Sequence, residues 1–494
     1  MAKRSFISSS TNLDYDVIII GAGISGINAA YRLQNQAPAG TTYIILEARD
    51  TIGGTWDLFR YPGIRSDSDI FTFGFSWNPW PKQETLAMGP EIKQYMIQSA
   101  KAAGIYENIH FKNKVRSANW VSQDGCWELS ACVNGSEHTV VYRSRFIFLG
   151  TGYYDYEHPL QAPIPGIGDF QGKIIHPQFW PEDYDFIDKN MVVIGSGATA
   201  ISIVPAVAGK TKHVTMLQRS PTYIYPLSNR LKSTTVLFHM FPKRVAEGVI
   251  RMLWILEGYA MLALCRSFPN GSRKHIRSIN KKLLPPDFPI DPHFEPRYNP
   301  WQQRLCVSMD GDIFAAIRSG RASIVTDVIE TVTKDSIRLA SGATLHPDVI
   351  VTATGLKVKF GGGIQFSVDN KPVDPTESLA WRACMLQDIP NLIFSFGYEN
   401  ASWTLGADCA AQLLTRFMWE LDKRSLTAVS PHLREGDKKM EARPLFSLSA
   451  TYLKNIKGSL PMAGTQGPWR PRSHYAADFI AAKWGSLESG LLWE

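Results

Sequence analysis

Cysteine is sparse in this chain of 494 residues, with six scattered along it (Cys126, Cys132, Cys265, Cys306, Cys384 and Cys409). None forms a CxxC or CxxxxC pair, and the nearest two, Cys126 and Cys132, match neither a zinc clip nor a dithiol redox motif. A metal centre and a disulfide-exchange site are therefore not expected, and reduced buried thiols of a cytoplasmic protein are. The N-terminus, MAKRSFISSSTNLDYD, has a basic pair but no apolar core of a signal peptide, so export is not expected either. Charge of one sign is also in short supply. Fifty-two Lys and Arg against 45 Asp and Glu leave only +7, too little to argue for a nucleic-acid partner. Low-complexity segments and short repeats are absent, and 14 Trp, 18 Tyr and 24 Phe supply more buriable surface than a disordered chain carries.

One apolar run approaches bilayer length. Val249 to Cys265 reads VIRMLWILEGYAMLALC, but Arg251 and Glu257 interrupt it, and each would cost about 2.5 to 3.5 kcal/mol inside hydrocarbon. The expectation is a buried or lid helix, with peripheral membrane contact as the alternative. The next segment, RKHIRSINKKLL, sets Arg273, Lys274, Arg277, Lys281 and Lys282 around an apolar stripe of Ile276, Ile279 and Leu283. This reads as a solvated helix face, with an anionic surface partner as the alternative.

What the chain does have is a pair of dinucleotide signatures. Tyr15 to Ile20 (YDVIII) is a continuous β-branched run, followed at once by Gly21-Ala-Gly23-Ile-Ser-Gly26 and by INAAYRLQ at helical spacing. Gly21 permits the tight turn, Gly23 the approach of a pyrophosphate, and Gly26 the packing of helix on strand, while the helix N-terminus offers free N–H groups to phosphate. A second strand, TYIILE, ends in Glu47, placed to accept ribose hydroxyls. The pattern recurs at MVVI (191–194), then Gly195-Ser-Gly197-Ala198-Thr199-Ala200, then the strand HVTMLQ. That strand ends in Arg219 and Ser220 instead of an acid, which suits the 2′-phosphate of NADPH over NADH.

Two further strands end in glycine, FIFLGTG (146–152) and DVIVTATG (348–355), and they bracket the second unit. The expected fold is α/β, with two Rossmann-like dinucleotide-binding domains, the second inserted into the first, and a helical insertion. Its boundaries are 1–150 for the first part of an FAD domain, 151–225 for the first part of an NADPH domain and 226–299 for the helical insertion. Residues 300–354 return to the NADPH domain and 355–494 complete the FAD domain. A dehydrogenase needs one nucleotide site, whereas an enzyme that reduces flavin with NADPH needs two. With disulfide reductases excluded by the cysteines, flavin chemistry with O2 remains.

Phe170-Gln-Gly172-Lys-Ile-Ile-His176-Pro-Gln-Phe-Trp180-Pro181 matches FxGxxxHxxxWP and lies between the two glycine motifs. It resembles the fingerprint of type I Baeyer–Villiger monooxygenases. Upstream, Gly53-Gly54-Thr55-Trp56 and RYPGIRSD (60–67) resemble that family's second signature, and runs such as VVIGSGATA, HVTMLQRSPTYI and YNPWQQRLC are similar to its ethionamide-activating subgroup. The resemblance extends along essentially the whole chain. It implies FAD and NADPH as cofactors, O2 as co-substrate, and ketones converted to esters through a C4a-peroxyflavin, with oxidation of sulfides or thioamides beside it. It further implies Arg304 as the active-site arginine, Asp67 as the acid that orients it, and His176 as a residue tying domains together. Gln303 stands where the family more often has a lysine that helps hold the 2′-phosphate, which implies weaker discrimination against NADH, and Asp57-Leu-Phe59 follows Trp56 where aromatics are common, which implies a differently shaped pocket over the flavin. Two alternatives stay open: a flavin monooxygenase confined to nitrogen and sulfur, and a flavin-bound redox sensor without turnover.

Overall fold

The computed structural model describes residues 13–136, 138–434, 436, 440–446, 458–472 and 474–494. Residues 1–12 of the N-terminal stretch, with its basic pair, lie outside the described residues. Tyr15–Ile20 forms the centre of the first sheet, where Val17, Ile18 and Ile19 are fully buried, as an unbroken apolar run covered on both faces should be. Parallel neighbours are Tyr43–Leu46 on one side and Thr139–Leu149 on the other, and these are flanked by Ile109–His110 and Leu392–Phe394. Thr139–Leu149 is long enough to continue into an antiparallel meander with Cys126–Val133 and Asn113–Val121. Helix Ile24–Gln36 and helix Trp403–Arg424 pack together over the parallel part, so the C-terminal segment completes the first layer.

A second, wholly parallel sheet has the order Ala322–Thr326, His213–Gln218, Asn190–Ile194, Val349–Thr352 and Lys173–Ile175. All five strands fall in sequence between Leu149 and Gln365, so one Rossmann-like unit is inserted into the other. The two crossing strands run side by side: Asp155 N–H donates to the Lys357 carbonyl (2.8 Å) and Lys359 N–H to that of Tyr153 (3.0 Å). The helical segment contains Lys232–Met240, Lys243–Ser267 and Pro269–Leu283, and the strand Ile224–Leu227 before it pairs in parallel with Cys306–Met309 after it.

Three expectations need correction. Helix Lys243–Ser267 is not buried: among its residues only Ala246, Ile250, Leu262 and Cys265 are. Its charges explain why, since Arg251 reaches across to donate to the carbonyls of Phe71 (2.7 Å) and Gly74 (2.9 Å), fixing the helix flat on the body. Cys132 is only partly buried, although all six thiols are free as expected. Asp57 does not shape the cavity beside the glycine turns. Its carboxylate is fully buried among Arg49, Lys93 (2.6 Å) and Arg60 (3.5 Å), turned away from the space that Phe59 lines. Those cations hold its carboxyl below the usual carboxylate range against the opposing effect of burial.

Candidate active site

The first glycine turn is shaped by close backbone approach. A Cβ on Gly26 would lie 1.9 Å from the Gly21 carbonyl oxygen, and one on Gly21, whose φ is +103°, would lie 2.7 Å from that of Gly150. Gly23 is different, because its nearest neighbours would stand 3.8 and 3.9 Å away, leaving the helix N-terminus open to a ligand. Facing it is the Gly53-Gly54-Thr55 turn, with Gly54 Cα at the far side of that opening. Glu47 is 6% exposed, and its carboxylate accepts the Ala22 N–H (2.6 Å) and the Arg49 N–H (2.8 Å). Burial pushes its pKa up, and each oxygen keeps a lone pair for a further donor such as a ribose hydroxyl.

These parts line one cavity of about 560 Å³. Gly21, Gly23, Glu47, Gly54, Thr55 and Trp56 border it, as do Asp67, Ala198, Thr199 and Arg304. The second glycine turn therefore abuts the first site. Gly195 would clash with the Ala353 carbonyl oxygen at 2.2 Å if it carried a Cβ, whereas nothing lies within 4 Å of the same position on Gly197. Two tight glycines and one open one make the first cradle, and one tight glycine, one open one and Ala200 make the second, which fits two dinucleotides meeting at their reactive ends. Arg219 and Ser220 are exposed just past His213–Gln218, and the Ser196 hydroxyl donates to the Ser220 carbonyl (2.9 Å), holding this corner beside the turn.

A second cavity, about 180 Å³, shares Asp67 and Arg304 with the first. Trp254, Met261 and Leu262 wall it from the helical segment, Val307 from the second unit, and Leu405 and Tyr475 from the C-terminal part. The Arg304 guanidinium donates to Asp67 at 3.3 Å, and both side chains are more than a third exposed, so the pair is not the buried one a purely structural ion pair would be. Glu399 borders the same small cavity, as do two acids with perturbed carboxyls, Asp69 and Glu257. Burial drives both carboxyls up, that of Asp69 to about 6 although it accepts the Thr72 N–H (2.7 Å) and hydroxyl (2.5 Å).

The fingerprint residues lie elsewhere. Phe170, Trp180 and their neighbour Ile175 are buried in the second unit, and Gly172 is exposed with no room for a Cβ against Phe170 and the Asp348 carbonyl. His176 does not border either cavity; its Nδ1 accepts the Gln178 N–H (3.2 Å), and burial depresses its pKa, keeping it neutral at pH 7. Gln178 in turn donates to the Asp155 carbonyl (2.6 Å) on a crossing strand. Pro181 precedes Glu182, which pairs with Arg60 (2.5 Å). Trp180 shares a core with Leu58, Phe59, Tyr61 and Ile64, so the two signatures meet as an interdomain joint.

Sequence reasoning missed several participants. Arg65, 6% exposed, pairs with Asp312 of the second unit, and Tyr61 lines the large cavity together with Thr199 of the second cradle. Tyr153, Tyr154 and Tyr156 line the large cavity, and the run YYDYE directly after the strand-ending GTG was the available signal.

The known proteins agree with this architecture. A family model described as flavin-binding monooxygenase-like matches residues 14–362. FAD-containing monooxygenase EthA of Mycolicibacterium smegmatis is 41% identical over 477 residues, covering 96% of both chains. The probable FAD-binding monooxygenase AlmA of Acinetobacter baylyi is 40% identical over 482 residues, 97% of this chain and 95% of that one. The crystal structure of OTEMO in complex with FAD and NADP superposes with a TM-score of 0.74 at 19% identity, over 98% of this chain and all of the other. Two glycine cradles, one unit inserted into the other, an arginine at their meeting point and this full-length similarity have one common explanation: the chain belongs to the flavin-binding monooxygenase-like family.

Proposed function

We propose that this protein is an NADPH- and O2-dependent Baeyer–Villiger monooxygenase that converts ketones to esters, with oxidation of sulfides and thioamides as a side activity. The observation that carries the reading is the membership of Arg304 and Asp67 in both cavities, one large and lined by the glycine turns, the other small and largely apolar. Relatives named as FAD-containing, and a neighbour crystallised with FAD and NADP, support the cofactor pair.

The residues divide the work. Gly21 and Gly23, with Gly54 and Thr55, would hold the FAD pyrophosphate, Gly26 would let the helix pack close enough to present them, and Glu47 would hold its ribose. Gly195, Gly197, Ala198 and Thr199 would hold the NADPH pyrophosphate, with Arg219 and Ser220 at its 2′-phosphate. Bound FAD supplies hydride acceptance from NADPH and the activation of O2. Arg304 keeps its charge at any working pH, and its fork stabilises negative charge that develops on oxygen at the mouth of the apolar cavity. Asp67 holds that fork in direction without burying it. The apolar walls, Trp254, Met261, Leu262 and Leu405, receive the carbon skeleton and exclude water.

The test is a panel of linear, cyclic and aryl ketones with sulfides, comparing NADPH consumed with product formed. Esters are expected. Sulfoxides without any ester would assign the chain to the nitrogen- and sulfur-oxygenating enzymes, and flavin reduction without any oxygenated product would assign it to a sensor role.

A further inference from the structure

Helix Lys243–Ser267 has two unlike sides. Ala246, Ile250, Leu262 and Cys265 are buried, Arg251 is tied to the carbonyls of Phe71 and Gly74, and the Tyr259 hydroxyl accepts the Ala476 N–H (2.9 Å). The opposite arc carries Val245 (49% exposed), Met252 (57%), Leu253 (49%), Leu256 (54%) and Leu264 (51%), with Met240 (68%) and Phe241 (39%) just before the helix and Phe268 (65%) just after it. Stepped at 100° per residue, Val245, Met252, Leu256 and Ala263 fall within about 40° of one another. Of the charges between Val245 and Leu264, Glu247 and Arg251 fall on the other side of the helix, and the exposed Glu257 stands at the edge of the face, about 20° beyond Leu264. This is the one helix among the described residues long and apolar enough to cross a bilayer, yet only 17% of its most apolar 18-residue window is buried.

A soluble protein rarely leaves so continuous an apolar face bare. Crossing a bilayer would require Arg251 to abandon its carbonyl partners, so the helix stays flat on the body. Exposed basic residues flank the face: Lys243 and Arg244 at its start, Arg266 at its end, and Lys274, Lys281 and Lys282 on the following helix Pro269–Leu283, which carries no acid. An apolar strip between basic rims has the chemistry of a surface that lies in the headgroup plane of an anionic bilayer. The inner side of the same helix walls the small cavity with Trp254, Met261 and Leu262. A further cavity of about 420 Å³, between this helix and Lys232–Met240, shares Trp254 and Glu257 with it.

We propose that the face of Lys243–Ser267 is a monotopic docking surface for anionic lipid bilayers, which sets the small cavity behind the membrane surface and gives lipid-dissolved substrates access to it. The docking does not depend on the reaction assigned above, and the test reads it separately. FAD-loaded full-length protein is sedimented with vesicles of phosphatidylcholine alone and of phosphatidylcholine with about a third phosphatidylglycerol. Binding to the anionic vesicles is expected to exceed binding to the neutral ones by about tenfold and to fall with added salt. Met252→Glu and Leu264→Glu border no cavity, and each is expected to lower vesicle binding by about tenfold while leaving NADPH oxidation with a water-soluble substrate unchanged. Failure of the wild type to bind anionic vesicles would overturn the proposal. So would undiminished binding by both variants, or variants that dissociate an oligomer in solution while wild-type protein ignores vesicles, since the face would then belong to a second copy of the chain.

Discussion

Replacing Arg304 by alanine separates oxygenation from everything that precedes it. The guanidinium sits 3.3 Å from Asp67, a separation at which Coulomb attraction lies between about 1 and 5 kcal/mol for dielectric constants of 80 and 20. Both side chains are more than a third exposed, so the net worth of the pair to folding falls to about 1 kcal/mol or less. Arg304→Ala should therefore lower Tm by only about 1 °C. Its effect on chemistry is larger, because losing one preorganised donor to a developing oxyanion costs about 3 to 4 kcal/mol, or 100- to 1000-fold. Asp67→Asn leaves the charge but loosens its direction, and about tenfold is expected. The assay follows flavin reduction by NADPH without oxygen, then ester and hydrogen peroxide formation with it. Reduction within a few-fold of wild type, with ester replaced by peroxide, is the expected pattern. Ester formation within fivefold of wild type in Arg304→Ala would refute the assignment, and a Tm loss far above 1 °C would show that the pair is mainly structural.

Three further predictions concern the cradles and the acid beside them. Gly26→Ala should abolish flavin retention, because its Cβ meets the Gly21 carbonyl at 1.9 Å; Gly197→Ala, with nothing within 4 Å, should fold with full flavin and raise only the KM for NADPH, both read by flavin absorbance and steady-state kinetics. Arg219→Ala should narrow the preference for NADPH over NADH by about tenfold, visible as a ratio of kcat/KM values, since one charge–phosphate contact is lost. Asp69 binds its proton more tightly in the folded protein than in the unfolded chain, so the stability of the neutral form is fully present below about pH 4 and is lost as pH rises through about 6. Asp69→Asn retains the cap to Thr72 and should thus raise Tm relative to wild type at pH 7 and not at pH 4.5.

The strand, glycine turn and helix of each unit were legible because continuous apolar runs and close-approach glycines are local: YDVIII, MVVI and HVTMLQ fall in strands as read. The insertion was legible from glycine-ended strands alone. What sequence could not show is any partner chosen by the fold. Arg65 and Asp312 are 247 positions apart, and nothing in either neighbourhood names the other. Asp57 looked like a change in the pocket but is turned into a nest of Arg49 and Lys93, because a carboxylate between cations is better placed there than beside a ligand. The helical segment was legible only in part: it walls the small cavity as a lid helix would, but it is not buried. Its composition suits a core as well as an exposed face, and only the inward anchoring of Arg251 and the bare opposite arc distinguish them.

The most direct test of the account uses isotopic oxygen. Incubation with NADPH, a simple ketone and 18O2 should give one 18O atom in each ester formed, with ester and NADPH consumed in equal amounts, as the role proposed for Arg304 in oxygen insertion beside a carbonyl requires. Ketone recovered unchanged while a sulfide in the same mixture becomes labelled sulfoxide would contradict that claim.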